Sequence, residues 1–291
     1  MSPHRSSVAC ALLQQLGAID RRWPAARVRR LHIPRRPGDP GQHDAEFCAI
    51  ELEDGSFGLS YILLGRTLDR LLADHGSGRG EALAGADPLA LAQGLAGGDE
   101  VGRAVALAAI NALTDSVWRR LGYQPPPAGN SLGDVVLGPG DHLGMIGFFP
   151  PLVRRIDDAG GRLTVVEMNT GMVARQRARF PGVHVTLDRH ALATCNTVVG
   201  TSTMLLNDTL DDMLAATPRA TRFAVIGPSA GLWPDVLFER GVTLLGGTRV
   251  ADGQAFADAM TAGESWSHAT RKFAIAREGW PGWRRLCGVA A

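Results

Sequence analysis

The chain has 291 residues, of which 45% are hydrophobic and 20% are charged, proportions that are ordinary for a soluble globular protein. Its 30 Lys and Arg nearly balance its 29 Asp and Glu, so the net charge of +1 gives no reason to expect nucleic acid or membrane as a partner. The four cysteines are scattered without a Cys-x-x-Cys pair, which argues against a disulfide framework or a structural zinc site. Because no long apolar run opens the chain, we expect a cytoplasmic protein.

A small α+β domain is predicted over residues 1–125. Apolar residues at helical spacing predict a helix over 7–20, and "ARVRRLHI" alternates as a strand does. "EFCAIEL" and "FGLSYIL" indicate the two strands of a hairpin, because "EDGS" between them carries the Asp-Gly turn signal. Helices are predicted next, over 67–74, 88–95 and 102–121.

A second domain is predicted over residues 126–291, after the proline-rich linker "YQPPPAGNSLGD" at 123–134. Strands are predicted at "HLGMIGFF", "RLTVVEMN", "VHVTL", "TVVG", "RFAVIG" and "VTLLGG", and helices over 151–159, 171–180, 206–216, 233–240 and 253–262. Short continuous apolar strands between helices are typical of a buried parallel sheet. The fold class is therefore α/β: a doubly wound, Rossmann-like parallel-sheet domain preceded by a smaller α+β domain.

Ligands of such sheets bind beyond the carboxyl ends of the strands, so the turns there carry the functional prediction. After the first strand of the second domain, Gly147 allows a sharp turn and is followed by Phe148, Phe149 and Pro150. This is not a Gly-x-Gly-x-x-Gly loop, and its bulk leaves little room for a diphosphate. An aromatic wall for a base and simple packing between domains both remain open.

Glu167 ends the next strand, twenty residues after Gly147. An acid at this position binds ribose hydroxyls in many Rossmann-like domains. A helix cap or an ion-pair partner explains such an acid equally well, and the sequence does not separate these interpretations.

Two turns rich in Gly, Ser and Thr follow neighbouring strands: Gly-Thr-Ser at 200–202 and Gly-Pro-Ser at 227–229. We expect them to form two polar lips of one pocket, and we expect Thr203 or Asn207 to cap the helix over 206–216. Asp208, Asp211 and Asp212 lie close to that helix start, where their charge would repel a polyphosphate. The pocket is therefore predicted to take a polar ligand that is not polyanionic.

Neither a nucleophile–base pair nor a metal-ligand cluster stands out. His184, Asp188, His190 and Cys195 lie close in sequence, but structural roles are favoured for each over metal ligation. The catalytic residues, if the protein is an enzyme, are not predicted.

Three segments of the second domain resemble a known family. They are "HLGMIGFFPPLVRRI", "VVGTSTMLLNDTLDDML" and "AVIGPSAGLWPDVLFERGVTLLGGTRVAD". They are similar to the Rossmann-like domains of unknown function labelled "putative heavy-metal chelation". The earlier segments "EFCAIELEDGSFGLSYIL" and "AVALAAINAL" are similar to the enolase N-terminal-like domain that precedes them in that family. The resemblance spans about residues 46–275 and implies a site in the cleft between the domains, with Asn111 contributed by the smaller one. The candidate ligand-site residues are Asn111, Gly147, Phe148, Phe149, Pro150, Glu167, Gly200, Thr201, Ser202, Thr203, Asn207, Gly227, Pro228 and Ser229.

Two functions follow as hypotheses. One is a binding protein for a small-molecule or metal-chelate ligand, acting in metal homeostasis or chelator biosynthesis. The other is an enzyme, a transferase that uses a nucleoside-type cofactor such as S-adenosylmethionine. The sequence leaves open whether the bound group is a divalent metal or a nucleoside, and whether the protein is a homodimer.

Overall fold

The computed structural model describes residues 6–35, 46–76, 83–129, 140–158 and 160–289. Within these ranges the helices are α1 (Val8–Asp20), α2 (Thr67–Gly76), α3 (Pro88–Ala92), α4 (Gly94–Gly97), α5 (Glu100–Arg120), α6 (Pro150–Asp158), α7 (Thr170–Arg179), α8 (Leu210–Ala215), α9 (Asp235–Arg240), α10 (Gly253–Ala262) and α11 (Trp283–Leu286). The strands are β1 (Val28–His32), β2 (Phe47–Leu52), β3 (Phe57–Tyr61), β4 (His142–Ile146), β5 (Arg162–Val166), β6 (His184–Thr186), β7 (Thr197–Thr201), β8 (Arg222–Ile226), β9 (Leu244–Val250) and β10 (Thr270–Ala276). None of these helices is long and apolar enough to cross a membrane.

The first three strands form a small antiparallel sheet in the order β1-β2-β3. The predicted hairpin turn joins β2 to β3: Asp54 Oδ1 accepts a hydrogen bond from Ser56 N at 3.0 Å, and Gly55 has a φ of +79°. Helix α5 packs against this sheet so closely that a Cβ placed on Gly58 would meet Ala108 O at 2.1 Å. Only glycine permits that approach, so the small sheet and α5 form one layered unit.

The remaining strands form a seven-stranded sheet in the order β10-β9-β8-β7-β4-β5-β6. All neighbours are parallel except β10, which pairs with β9 antiparallel. The chain runs from β4 outward to β6, then returns to β7 on the other side of β4. This reversal confirms the doubly wound α/β prediction and places the switch point between β4 and β7.

Strand β10 was not predicted from the sequence. Its segment "TRKFAIA" is an edge strand in which exposed Arg271 and Lys272 follow buried Thr270. An edge strand with one solvated side lacks the continuous apolar run that indicates the buried strands.

The two sheets are joined through a common core. Trp118 of α5 lies with its ring centroid 5.7 Å from that of Trp233, beyond β8, and 5.7 Å from that of Phe273 in β10. The start of the predicted linker pairs with β10, since Ala274 N donates to Pro126 O at 3.0 Å. Residues 130–134 of that linker lie outside the described ranges, and the division at residue 125 stays a prediction.

Candidate functional site

The turns after β4 and β7 touch at the switch point. Gly147, directly after β4, has a φ of +80° and donates its N–H to Val166 O at 2.9 Å. A Cβ on Gly147 would lie 3.0 Å from Cγ2 of Thr201, the last residue of β7. The sharp turn at Gly147 therefore leaves its backbone against the Thr201 side chain, at the edge where ligands of doubly wound sheets bind.

Thr201 caps the helical turn that follows β7. Its Oγ1 accepts from Thr203 N at 3.3 Å, and the chain continues as a 3-10 helix over Ser202–Leu205. The α-helix begins only at Leu210, because Asp208 adopts a left-handed conformation with a φ of +56°. The expected helix start at residue 206 and the expected caps are thus wrong: the chain breaks at Asp208, and the 3-10 turn takes Thr201 as its cap.

Asn207 braces this turn from within. One atom of its side-chain amide lies 3.2 Å from Met168 Sδ, and the other faces the carbonyl oxygens of Thr203 and Met204. With the amide nitrogen on the carbonyl side, it donates to Thr203 O at 3.2 Å, to Met204 O at 3.3 Å and to Thr209 Oγ1 at 2.7 Å. In this orientation Asn207 holds the turn after β7 together, and its amide oxygen only contacts Met168 Sδ.

The acids of α8 are paired with arginines. Asp212 Oδ2 lies 2.6 Å from a guanidinium nitrogen of Arg189, and Asp211 Oδ1 lies 3.2 Å from Arg240 Nε. From the sequence, both acids were expected to act as free negative charges at the mouth of the pocket. Their arginine partners weaken that repulsion, which leaves exposed Asp208 as the acid of this segment without an ion pair among the described residues.

The second polar turn, after β8, lies against the first. A Cβ on Gly227, whose φ is +138°, would lie 2.6 Å from Oγ of buried Ser202. Ser229 faces the small sheet: its Oγ accepts from Tyr61 N at 2.9 Å, and its carbonyl accepts from Asn111 Nδ2 at 2.9 Å.

Asn111 and Ser229 are both almost completely buried, so they fasten the small domain to the large sheet. Asn111 Nδ2 also donates to Leu59 O at 2.7 Å, whereas its Oδ1 is buried without a hydrogen-bond partner among the described residues. Of the two predicted lips, the 200–202 turn borders the switch point. In the 227–229 turn, Gly227 and Pro228 remain partly accessible.

Glu167 follows β5 at the same edge of the sheet and is half-buried. Its N–H donates to Thr186 O at 2.9 Å, which fixes its backbone. Burial raises the pKa of the Glu167 carboxyl above its usual range, and a hydrogen bond with the backbone of Met168 lowers it to a lesser extent. Glu167 has no ion-pair partner among the described side chains.

Tyr61, at the end of β3, contacts the turn after β8, where its N–H donates to Ser229 Oγ. Burial raises the pKa of the Tyr61 phenol to about 12, and the negative charges of Glu46 and Glu167 add to that rise. Tyr61 was not predicted as a site residue from the sequence. The sequence shows an amphipathic aromatic residue at the end of a hairpin strand. No local pattern shows which distant side chains lie near it.

The aromatic segment after Gly147 packs onto the large sheet. Phe148 lies with its ring centroid 5.7 Å from that of Phe180, and both Phe148 and Phe149 contact the apolar core under α6 and α7. Pro150 begins α6. Phe148, Phe149 and Pro150 remain partly accessible, so they border the site while belonging to the core.

Of the four residues considered as metal ligands, Asp188 and Cys195 have structural roles, and the side chains of His184 and His190 are exposed. Asp188 Oδ1 accepts from His190 N at 2.9 Å as a helix cap. Cys195 is buried against Gly144, and this burial raises its pKa to about 11, which disfavours the thiolate that binds metal. Within the described ranges, no three His, Cys, Asp or Glu side chains come together as a metal site.

Family models match both parts of this structure. The DUF364 model, described as "Putative heavy-metal chelation", matches residues 132–278, and the DUF4213 model, with the same description, matches residues 45–114. The chain belongs to the DUF364 family. A comparison with curated proteins finds no match.

Two solved DUF364 structures share this architecture over nearly their whole length. A protein of unknown function from Desulfitobacterium hafniense is 19% identical, with a TM-score of 0.65 over 92% of this chain and 99% of that one. A second, from Pyrococcus horikoshii, is 16% identical, with a TM-score of 0.64 over the same shares of the two chains. At this identity the likeness establishes the DUF364 fold, whereas the site rests on this chain's own residues.

Proposed function

We propose that this DUF364 protein binds a small, polar, metal-chelating metabolite, or its metal complex, at the switch point between β4 and β7. The observation that carries the proposal is the contact between the Gly147 turn and Thr201, with half-buried Glu167 at the end of the adjacent strand. The family's description supports a connection with metal, and on that basis we propose a role in metal homeostasis or chelator biosynthesis.

The metabolite, in this proposal, supplies the atoms that chelate the metal. The described residues bring together no group of three metal-binding side chains, whereas the switch point offers the Thr201 hydroxyl and the Glu167 carboxylate. Hydroxyl and carboxylate groups recognise the polar outer face of a chelate by hydrogen bonds. A small-molecule chelate fits this set better than a bare soft metal ion, which prefers thiolate and imidazole.

The test compares bare ions with chelates on wild-type protein and on Thr201→Val. Ni²⁺, Co²⁺ and Zn²⁺ are offered alone and as histidine or citrate complexes, with melting temperature and calorimetry as readouts. We expect a chelate to raise the melting temperature and Thr201→Val to weaken its binding about tenfold, the equivalent of one lost hydrogen bond.

Thr261→Val is the matched control, because Thr261 lies on α10 and its hydroxyl donates to Ala257 O, at 2.8 Å, within that helix. Because Thr201→Val also removes the cap of the 3-10 helix, the comparison uses the change in melting temperature that the ligand causes in each protein. Equal binding by bare ions, or equal chelate affinity in Thr201→Val and wild type, would contradict the proposal.

A second candidate function is favoured by the position of Glu167. This acid ends the strand next to β4, where an acid of a Rossmann-like domain binds ribose hydroxyls. The candidate is an enzyme that uses a nucleoside-type cofactor such as S-adenosylmethionine. Stabilisation by S-adenosylmethionine or S-adenosylhomocysteine that disappears in Glu167→Ala would favour it. No stabilisation by either compound would exclude it.

A further inference from the structure

A thioether sulfur and an amide oxygen meet beside the switch point. The amide nitrogen of Asn207 is turned inward, where it donates to Thr203 O at 3.2 Å and to Thr209 Oγ1 at 2.7 Å. The amide oxygen, Asn207 Oδ1, is then left 3.2 Å from Met168 Sδ. Because neither atom carries a hydrogen, two atoms with lone pairs face each other here without a hydrogen bond between them.

The turn after β7 fixes the amide in this orientation. The opposite orientation would place Asn207 Oδ1 against the carbonyl oxygens of Thr203 and Met204, where two acceptors would face an acceptor. The same turn is capped by Thr201, whose Oγ1 accepts from Thr203 N at 3.3 Å. The sulfur–oxygen pair therefore lies in the turn that carries the Thr201 hydroxyl of the proposed ligand site.

The separation of the two atoms suits a metal ion that contacts both. Bonds of about 2.3 Å to sulfur and about 2.1 Å to oxygen, the lengths typical of zinc, place the two donor atoms about 3.1 Å apart when the bonds meet at a right angle. Met168 Sδ and Asn207 Oδ1 are 3.2 Å apart, so one ion can bind both with little movement of either side chain. Met168 is also 66% exposed, which leaves it accessible to a ligand from solvent.

We propose that Met168 Sδ and Asn207 Oδ1 bind the metal of the chelate, and that this metal is copper. This inference rests on the proposed function and adds to it the protein's own ligands and the identity of the metal. A thioether is a soft ligand that favours copper, and a methionine sulfur and an amide oxygen both serve as weak axial ligands of copper in proteins. Because two such ligands hold an ion weakly, the metabolite supplies the remaining donor atoms.

The first experiment compares copper with zinc, each offered as its histidine complex and followed by calorimetry. All proteins carry Cys10→Ser, because Cys10 is exposed whereas the other three cysteines are buried. Met168→Leu keeps an apolar side chain of similar size but removes the sulfur. We expect it to weaken binding of the copper complex at least about tenfold, the smaller of the losses seen when support of a metal site is removed, and to leave zinc binding nearly unchanged.

Met172→Leu is the matched control, because Met172 lies on α7, four residues from Met168, and is partly exposed. This variant should bind the copper complex as tightly as the parent protein does. Equal weakening in Met172→Leu and Met168→Leu would overturn the inference.

Asn207→Ala tests the second ligand. This variant also loses the hydrogen bonds of Asn207 within the turn, so the readout is the ratio of the affinity for the copper complex to that for the zinc complex. A turn that is merely loosened would weaken both complexes alike and leave this ratio unchanged. We expect the ratio to fall, as in Met168→Leu. A ratio equal to that of the parent protein would overturn the paired site.

X-ray absorption at the copper edge shows directly whether sulfur is bound. In the parent protein we expect sulfur among the atoms nearest to copper, and in Met168→Leu we expect nitrogen and oxygen alone. Absence of sulfur from the parent spectrum, or a copper affinity that Met168→Leu does not change, would overturn the inference.

The outcomes separate this inference from the function on which it rests. If Met168→Leu has no effect but chelates still bind and Thr201→Val weakens them, the proposed function stands and the metabolite alone holds the metal. If bare copper binds as tightly as its histidine complex, and Met168→Leu weakens both, the ligand pair is supported and the chelate is rejected as the ligand.

Discussion

The backbone N–H of Tyr61 donates a 2.9 Å hydrogen bond to the hydroxyl of Ser229, and this bond joins the edge of the small sheet to the turn after β8. Asn111 strengthens the junction from α5 by donating to the Ser229 carbonyl at 2.9 Å. A turn that resembles a ligand-binding lip in the sequence therefore acts as a fastening between domains.

Ser229→Ala should destabilise the protein by about 1–3 kcal/mol, because the substitution leaves the Tyr61 N–H without its acceptor in a buried position. Urea denaturation followed by tryptophan fluorescence measures the loss. Ser6→Ala is the control: Ser6 is exposed before α1, its carbonyl accepts from Arg240, and the substitution should change stability by less than about 0.5 kcal/mol. Equal stability of Ser229→Ala and wild type would show that the junction does not depend on this bond.

Glu167→Gln should stabilise the protein at neutral pH. Burial raises the folded-state pKa of Glu167 above its unfolded value, so the folded state retains the proton longer as pH rises. Wild type therefore loses stability as pH increases from the unfolded pKa through the folded one, and the glutamine variant, which has no carboxyl to ionise here, does not carry this loss. Urea denaturation between pH 4 and 8 should show a difference that is small at pH 4 and grows toward pH 7.

Glu278→Gln, which removes an exposed acid after β10, is the control for the change in net charge. If Glu167→Gln is less stable than wild type at pH 7, the carboxylate stabilises the folded protein through a contact that its surroundings do not show. A gain restricted to Glu167→Gln would mark this acid as one retained at a cost in stability, as is common for groups that act on a ligand.

The sequence predicted the large sheet well apart from β10, whereas the ligand-site residues stay predictions. Segments such as "TVVG" and "RFAVIG" are continuous apolar runs, and a buried parallel strand requires such a run, so pattern alone located them. The contact of Gly147 with Thr201 arises because β4 and β7 are neighbours in the sheet. The sequence predicted the class of this sheet but not the order of its strands. Cytoplasmic location, the partners and the oligomeric state stay predictions.

Two features were beyond sequence reasoning for physical reasons. The break at Asp208 depends on a left-handed residue other than glycine, and an aspartate in an otherwise helical pattern gives no warning of it. The hydrogen bond from Tyr61 N–H to Ser229 Oγ joins two domains, so it depends on how they pack and not on any local pattern. Long-range polar contacts of this kind are where functional residues escape prediction from one sequence.

Gly147→Ala should lower stability more than the same change at a glycine of similar conformation in open space. Gly122 has a φ of +64°, and a Cβ placed on it would have no atom within 4 Å, so Gly122→Ala carries only the left-handed conformational cost, about 1–2 kcal/mol. Gly147→Ala adds the contact with Thr201 Cγ2 at 3.0 Å. We expect a further loss of up to about 1 kcal/mol by urea denaturation, and weaker chelate binding in Gly147→Ala alone. Equal losses of stability and equal chelate binding in Gly147→Ala and Gly122→Ala would show that the turns after β4 and β7 do not depend on their close contact.

Asp115→Asn should be among the most destabilising substitutions of a polar residue. Asp115 is 3% exposed and bridges the domains: its carboxylate oxygens lie 2.7 Å from Arg119 Nε in α5 and 2.7 Å from Arg249 Nε in β9. Removing its charge leaves two arginines facing each other, and Arg249 is itself largely buried. Breaking such a buried pair costs about 3–5 kcal/mol.

Asp99→Asn is the matched control, since Asp99 pairs with Arg70 on the surface and its Asn substitute keeps the cap to Gly102 N. That exposed pair should contribute little to stability, because solvent screens it. High salt should reduce the small effect of Asp99→Asn and leave the Asp115→Asn effect largely intact, because buried pairs are screened much less than exposed ones. Comparable losses for the two variants would mean that the Asp115 network does not hold the domains together, and that the shared core around Trp118 and Trp233 does so alone.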